Sequence, residues 1–170
     1  MNSGAILYGK KINDKHYPAS ITKLLTALVA LENADPDDEV YFSEDSVSFL
    51  EYGDASIGMR PGEILSMNDA LYGMLLASAN EVSYAIAESV GKKMGGGFET
   101  FIQKMNERCE ELGCTGSHWT NANGLHDENH YTTAYDLYLI FQEAMKYEEF
   151  RKIVGTVSYR AEYTDAAGQT

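Results

Sequence analysis

The chain has 170 residues, 44% of them hydrophobic, which is enough apolar material for one folded domain with its own core. Its 26 acidic and 13 basic side chains give a net charge of −13, and no stripe of Lys or Arg could neutralise phosphates, which argues against nucleic acid as a partner. There is no apolar run long enough to span a membrane and no signal-peptide pattern at residues 1–4, so we expect these residues to be soluble as they stand.

Periodicity and turn residues predict a mainly helical chain with a few short strands. The predicted elements are a strand at residues 5–8, a helix at 20–33, an extended piece at 40–42, a loop at 53–62, a helix that starts at 66–69 and breaks near Ser78, a helix at 80–90, a helix from Phe98 to the stop at Gly113, a helix capped by Thr132 or Thr133, and a strand at 156–164.

Ser20 and Lys23 stand three residues apart where a helix begins, and Ser20 lies two residues after Pro18. This spacing puts the hydroxyl and the amine on one helix face, as a serine nucleophile and a lysine base require. Lowering a lysine pKa from about 10.4 to about 7 costs roughly 4–5 kcal/mol, part of which desolvation by Ile21 and Leu24 could supply. Taken alone, Ser-x-x-Lys is more often a helix cap followed by a solvated lysine, so the interpretation depends on further motifs.

Three further motifs follow in order. They are Ser78-Ala79-Asn80 at the predicted helix break, Asn121-Ala122-Asn123-Gly124-Leu125, and His130-Tyr131-Thr132-Thr133-Ala134-Tyr135-Asp136. Together with Tyr-Pro-Ala-Ser-x-Thr-Lys at residues 17–23, they resemble the D-alanyl-D-alanine carboxypeptidases of peptidase family S11, the low-molecular-weight penicillin-binding proteins. The resemblance covers residues 4–164.

This resemblance implies that Ser20 attacks the carbonyl between two D-alanines while Lys23 takes its proton, and that water hydrolyses the acyl-enzyme. Penicillin and other β-lactams would acylate the same serine. Ser78 would relay a proton to the leaving amine, and Asn80 would hydrogen-bond Lys23 or the substrate amide. The implied catalytic residues are therefore Ser20, Lys23, Ser78 and Asn80, with Ser20, Ser78 and Asn80 also binding a peptidoglycan pentapeptide that ends in D-Ala-D-Ala. The resemblance implies no cofactor and no catalytic metal.

The family's third motif, Lys-Thr-Gly on a sheet strand, does not occur in these residues, and the lysine pairs at 10–11 and 92–93 lack the Thr-Gly. The family's first strand also has no match. We therefore expect the helical part of a β-lactamase/transpeptidase-like α/β fold with most of its sheet missing, as a single partial domain over residues 1–170. Its activity would be absent or impaired, and its strand edges would pair between copies. The parent would be secreted or anchored outside the cytoplasmic membrane.

Several alternatives remain open. The chain could be a non-catalytic scaffold module of the penicillin-binding fold, or a class A-like β-lactamase, although the deacylating Glu of that class is not apparent. His126 and His130 could converge on a metal ion if their segment were helical, but Gly124 favours a loop. Cys109 and Cys114 are interpreted as one buried thiol and one loop thiol rather than a disulfide or metal pair.

Overall fold

The computed structural model describes residue 6 and residues 8–170. Helices dominate this part of the chain. After a 3₁₀ turn at Ala19–Thr22, they are α1 (Lys23–Asn33), α2 (Glu44–Ser48), α3 (Met67–Leu76), α4 (Asn80–Lys93), α5 (Phe98–Glu111), α6 (Ala134–Ala144) and α7 (Glu148–Val154). The strands β1 (Glu39–Tyr41), β2 (Ile64–Ser66) and β3 (Tyr163–Thr164) form a small antiparallel sheet in the order β1-β2-β3.

Helix α1 lies at the centre of the helical layer, where it contacts α3, α4, α5 and α6. Leu25, Leu28 and Val29 on this helix have no exposed surface. Burial of each such side chain contributes about 1.5–3 kcal/mol, so α1 is held firmly from several sides. Its position matters for the site because Lys23 is its first residue.

The predicted helix boundaries are confirmed where capping residues mark them. The Ser66 hydroxyl accepts a hydrogen bond from the Asp69 N–H (3.1 Å) at the start of α3. Of the two candidate threonines before α6, Thr133 is the cap, and its hydroxyl accepts from the Asp136 N–H at 3.0 Å. Gly113 adopts a φ of +84° just beyond α5, a conformation that glycine adopts without strain. Local side-chain chemistry therefore fixes these ends.

The strand predicted at residues 156–164 is mostly wrong, because only Tyr163–Thr164 pairs, with β2. The alternating pattern upstream has another cause. Tyr159 stacks on Tyr72 with ring centroids 3.6 Å apart, and its hydroxyl donates to Asp69 Oδ1 at 2.6 Å. These contacts pack the segment around Tyr159 against α3, so it does not pair as a strand. The expected extended piece at residues 40–42 is present as β1, shifted by one residue.

Some short elements give no clear sequence signal. Helices α2 and α7 have five and seven residues, and β2 has three, which is too short for a periodic pattern. The strand predicted at residues 5–8 falls on positions that, apart from Ile6 and Tyr8, lie outside the described residues. Within the described part of the chain, no helix combines the length and the apolar character that crossing a membrane requires.

Both cysteines are buried and free. Cys109 Sγ accepts a hydrogen bond from the indole N–H of Trp119 at 3.0 Å, and Cys114 lies in the loop after α5. The neighbouring Cys109 thiol and burial raise the pKa of Cys114. The prediction of two unpaired thiols is confirmed, and their burial makes them core side chains rather than reactive groups.

Candidate active site

The predicted nucleophile lies on the 3₁₀ turn that leads into α1. The Ile21 N–H donates to the Pro18 carbonyl at 3.2 Å, and Ala19 adopts a φ of +48°, which is unusual for a residue with a side chain. Ser20 is exposed and serves as a first-turn residue rather than as the cap of α1. Lys23 follows as the first residue of α1, and its Nζ donates to Ser20 Oγ at 3.2 Å. The predicted meeting of these two groups is confirmed.

Lys23 is almost completely buried, with 2% of its surface exposed. Besides Ser20 Oγ, its Nζ donates to Asn80 Oδ1 at 2.8 Å and to the carbonyl oxygen of Asn123 at 2.7 Å. These acceptors match the three protons of an ammonium group. They come from three separate parts of the chain and hold the amine at one point.

Burial sets the protonation of this amine. Desolvation lowers the pKa of Lys23 from 10.5 to about 8, against the negative charges of Glu81 and Asp54, which raise it. Ile21 and Leu24 are the neighbours that the sequence predicts to contribute to this desolvation. In the structure the enclosure also depends on Asn80 and on the loop of Asn123, which close over the amine.

Ser78 and Asn80 lie at the break between α3 and α4, as predicted. Ser78 adopts a φ of +58° and is half-buried, and among the described residues its hydroxyl has no hydrogen-bond partner. Asn80 is buried, and its N–H donates to the Ala55 carbonyl at 2.8 Å. An open cleft of about 280 Å³ places Ser78 opposite the nucleophile turn; it is lined by Ser20, Ile21, Lys23, Leu24, Met74, Leu75 and Ser78.

The loop that contains the Asn121–Leu125 motif packs against the backbone of the nucleophile turn. Gly124 adopts a φ of +90°, and a Cβ placed there would overlap the Ala19 carbonyl group and lie 3.0 Å from the Ser20 nitrogen. Asn121 Oδ1 accepts from the Gly124 N–H at 2.7 Å, which fixes the turn. The motif was recognised from the sequence, but the role of the Asn123 carbonyl was missed, because every residue has a carbonyl and no letter of the sequence marks it.

His130 is a second residue whose place in the site the sequence did not indicate. It is buried, its Nδ1 accepts from the Thr120 N–H at 3.0 Å, and its Nε2 lies 2.8 Å from the Thr22 hydroxyl. A neutral ring that accepts at Nδ1 carries its proton on Nε2 and donates to Thr22. Desolvation lowers the pKa of His130 to about 4, so the ring is neutral near pH 7. It ties the 120–131 loop to the turn between Ser20 and Lys23.

The metal alternative required a helix that brings His126 and His130 together. The segment is a loop, and the His126 ring lies edge-on against Tyr17 with centroids 4.6 Å apart, away from the partners of His130. No group of three or more His, Cys, Asp or Glu residues in the described part of the chain is arranged to hold a metal ion. The geometry instead supports a serine hydroxyl beside a desolvated amine, the arrangement of a nucleophile with its base.

Comparison with known proteins agrees with this geometry. A family model described as D-alanyl-D-alanine carboxypeptidase, Peptidase S11, matches residues 1–169. The carboxypeptidase DacF of Bacillus subtilis is 36% identical over 170 residues, which cover 96% of this chain and 42% of that protein. DacB2 of Mycobacterium tuberculosis is 33% identical, with 93% of this chain and 52% of that protein covered. The chain thus spans about half the length of these curated relatives.

The fold is shared as well. The crystal structure of the Streptomyces K15 DD-transpeptidase matches 98% of this chain and 65% of that one, with 27% identity and a TM-score of 0.87. The expected fold class, the helical part of a transpeptidase-like fold with few strands, is confirmed. The chain therefore belongs to the D-alanyl-D-alanine carboxypeptidase family, peptidase family S11.

Proposed function

We propose that the protein is a serine-type D-Ala-D-Ala carboxypeptidase that trims peptidoglycan stem peptides through an acyl-enzyme on Ser20, and that penicillins acylate the same residue. The observation that carries this proposal is the buried Lys23 amine 3.2 Å from Ser20 Oγ. The names of the relatives support the substrate, a peptide that ends in D-Ala-D-Ala.

Lys23 has the protonation that a general base needs. With a pKa of about 8, about one molecule in ten carries a free amine at pH 7. An exposed lysine with a pKa of about 10.4 would be free in only about one molecule in 2,500. The buried position thus raises the working population of the base more than a hundredfold, while leaving it strong enough to take a hydroxyl proton.

In the acylation step, the Lys23 amine takes the Ser20 proton while Oγ bonds to the carbonyl carbon of the penultimate D-alanine. The backbone N–H of Ser20 donates to the resulting oxyanion. The C–N bond then breaks, and the leaving D-alanine amine receives the proton from Lys23 through the Ser78 hydroxyl, which faces the same cleft. In deacylation, water gives a proton to Lys23 and adds to the ester carbonyl, the bond between the acyl carbon and Ser20 Oγ breaks, and Lys23 returns the proton to Oγ as the shortened peptide leaves.

Asn80 has two roles in this proposal. Its Oδ1 accepts from Lys23, which keeps the amine aimed at Ser20. Its amide N–H₂ group, which has no hydrogen-bond acceptor in the described part of the chain, would donate to the substrate amide. Since peptidoglycan lies outside the cytoplasmic membrane, the proposal also places the protein there, secreted or anchored.

The test is intact-mass spectrometry after incubation with benzylpenicillin. We expect a covalent adduct that is lost in Ser20→Ala and kept in Ser48→Ala, which removes an exposed hydroxyl at the end of α2, outside the cleft. A folded chain without any adduct would contradict the proposal and favour a non-catalytic scaffold. Rapid release of hydrolysed penicillin over many turnovers would instead favour a β-lactamase. Release of D-alanine from a D-Ala-D-Ala peptide then tests the natural reaction.

A further inference from the structure

A buried carboxylate directly follows Asn80. Glu81 has no exposed surface, and its Oε1 accepts hydrogen bonds from Ser56 Oγ (2.7 Å), the Ile57 N–H (2.7 Å) and the Gly58 N–H (3.2 Å). This one oxygen thus accepts three hydrogen bonds from a segment more than twenty residues earlier in the chain. A carboxylate that accepts from backbone N–H groups in this way fixes their positions.

The other oxygen of this carboxylate is unusual. Glu81 Oε2 is buried and has no hydrogen-bond partner within the described residues. An unpartnered buried polar atom destabilises the fold, and more so when it is charged. The position of Glu81 in the first turn of α4 offsets part of this cost, since a helix N-terminus favours negative charge.

The segment that Glu81 holds also contacts the site. The Ala55 carbonyl accepts from the Asn80 N–H at 2.8 Å, so residues 55–58 are bonded to the first two residues of α4. Asn80 in turn accepts from Lys23 Nζ at 2.8 Å. A continuous set of hydrogen bonds therefore runs from the Glu81 carboxylate through this segment to Asn80 and the amine.

We infer that Glu81 is a positioning residue of the active site, which holds residues 55–58 against the start of α4 and thereby keeps Asn80 in place as an acceptor of Lys23. This inference rests on the proposed function. The charge of Glu81 has a second effect, since it opposes desolvation and raises the pKa of Lys23, as Asp54 on the preceding loop also does. The other groups that contact the amine, Ser20 Oγ and the Asn123 carbonyl, are neutral.

The first test is a titration that needs no enzyme activity. In the chain labelled with ¹³C-lysine, the Lys23 ε-carbon signal is assigned by its loss in Lys23→Ala and followed by NMR from pH 6 to 11. Glu81→Gln keeps an acceptor oxygen for the three donors and removes the charge. We expect its Lys23 midpoint to shift to lower pH than the value of about 8 in the unsubstituted chain.

The matched control is Glu88→Gln, on the same helix. Glu88 is also largely buried, and its Oε2 accepts a serine hydroxyl, Ser43 Oγ, at 2.6 Å, but it does not contact residues 55–58. We expect the Lys23 midpoint to stay unchanged in this variant. Equal midpoints in Glu81→Gln and Glu88→Gln would overturn the effect of the Glu81 charge on Lys23, while the positioning role is decided by the shorter variant below.

Glu81→Asp provides a second variant in which the charge remains and the side chain is one methylene shorter. We expect its Lys23 midpoint to stay near that of the unsubstituted chain, while acylation by benzylpenicillin above that midpoint falls at least about tenfold, which corresponds to 1.4 kcal/mol. Acylation as fast as in Glu88→Gln would overturn the positioning role. If the unsubstituted chain forms no adduct, the proposed function fails, whereas the titration still decides whether the charge of Glu81 acts on Lys23.

Discussion

Substitution of Gly124 by alanine should damage the nucleophile turn without touching any catalytic side chain. Gly124 has a φ of +90°, where a residue with a Cβ is strained by about 1–2 kcal/mol. The new Cβ would also overlap the Ala19 carbonyl and lie 3.0 Å from the Ser20 nitrogen. Forced packing of this kind costs about 1–3 kcal/mol. We therefore expect Gly124→Ala to lower the free energy of unfolding by about 2–5 kcal/mol.

Gly95→Ala separates the two contributions. Gly95 has the same φ of +90°, but a Cβ there would meet no atom within 4 Å. This variant should lose only the conformational part, about 1–2 kcal/mol. Both variants are compared with the unsubstituted chain by urea unfolding followed by circular dichroism, and by the rate of benzylpenicillin acylation under native conditions.

In Gly124→Ala the shifted Ala19–Ser20 peptide should also slow acylation at least about tenfold, because a misplacement that raises the barrier by 1.4 kcal/mol is enough for this. Gly95→Ala should acylate at the normal rate. Equal stability losses in the two variants would refute the reasoning on packing, and equal acylation rates would refute the claim that the 121–125 loop positions Ser20.

Four further predictions follow from other contacts. Acylation should rise with pH and level off above about 8, because only the free amine of Lys23 accepts a proton; a rate independent of pH between 6 and 9 would contradict this base. The depressed pKa of His130, about 4, means that the unfolded chain binds a proton between pH 6.5 and 4 while the folded chain does not. As the pH is lowered from 6.5 to 4, the free energy of unfolding should therefore fall by up to about 3 kcal/mol. His130→Gln should remove this pH dependence of the free energy of unfolding, measured by urea unfolding at each pH. An unchanged pH dependence would rule out His130 as its source. Arg108→Met should lower the free energy of unfolding by about 2 kcal/mol and leave acylation unchanged, because the guanidinium binds both oxygens of Glu32 and links α5 to α1. A variant as stable as the unsubstituted chain in urea unfolding would contradict a stabilising role for that link. The outer strands β1 and β3 should pair between copies, so light scattering at high concentration should detect dimers or larger species, and a uniform monomer would count against it.

The contact between Ser20 and Lys23 could be predicted from the sequence because it depends on local geometry. Ser20 and Lys23 are one turn apart, and the side chains meet wherever that turn is helical. Ser78 and Asn80 were found in the same way, from a helix break that polar residues mark. The remaining partners could not be predicted. The Asn123 carbonyl contacts Lys23 across 100 positions and His130 contacts Thr22 across 108, and no local pattern encodes such distances.

The sequence by itself determined the longer helices, the cap at Ser66 and the residue types of the site, because each depends on interactions within a few positions of the chain. Tertiary structure decided the surroundings of those residues. Burial lowers the pKa of Lys23 to about 8, with Asn80 and the loop of Asn123 bonded to the amine, and desolvation depends on everything packed around a charge. Tertiary contacts also explain why residues 156–162 do not form the predicted strand. Tyr159 stacks on Tyr72 of α3, and this contact cannot be predicted from the residues next to Tyr159 in the sequence.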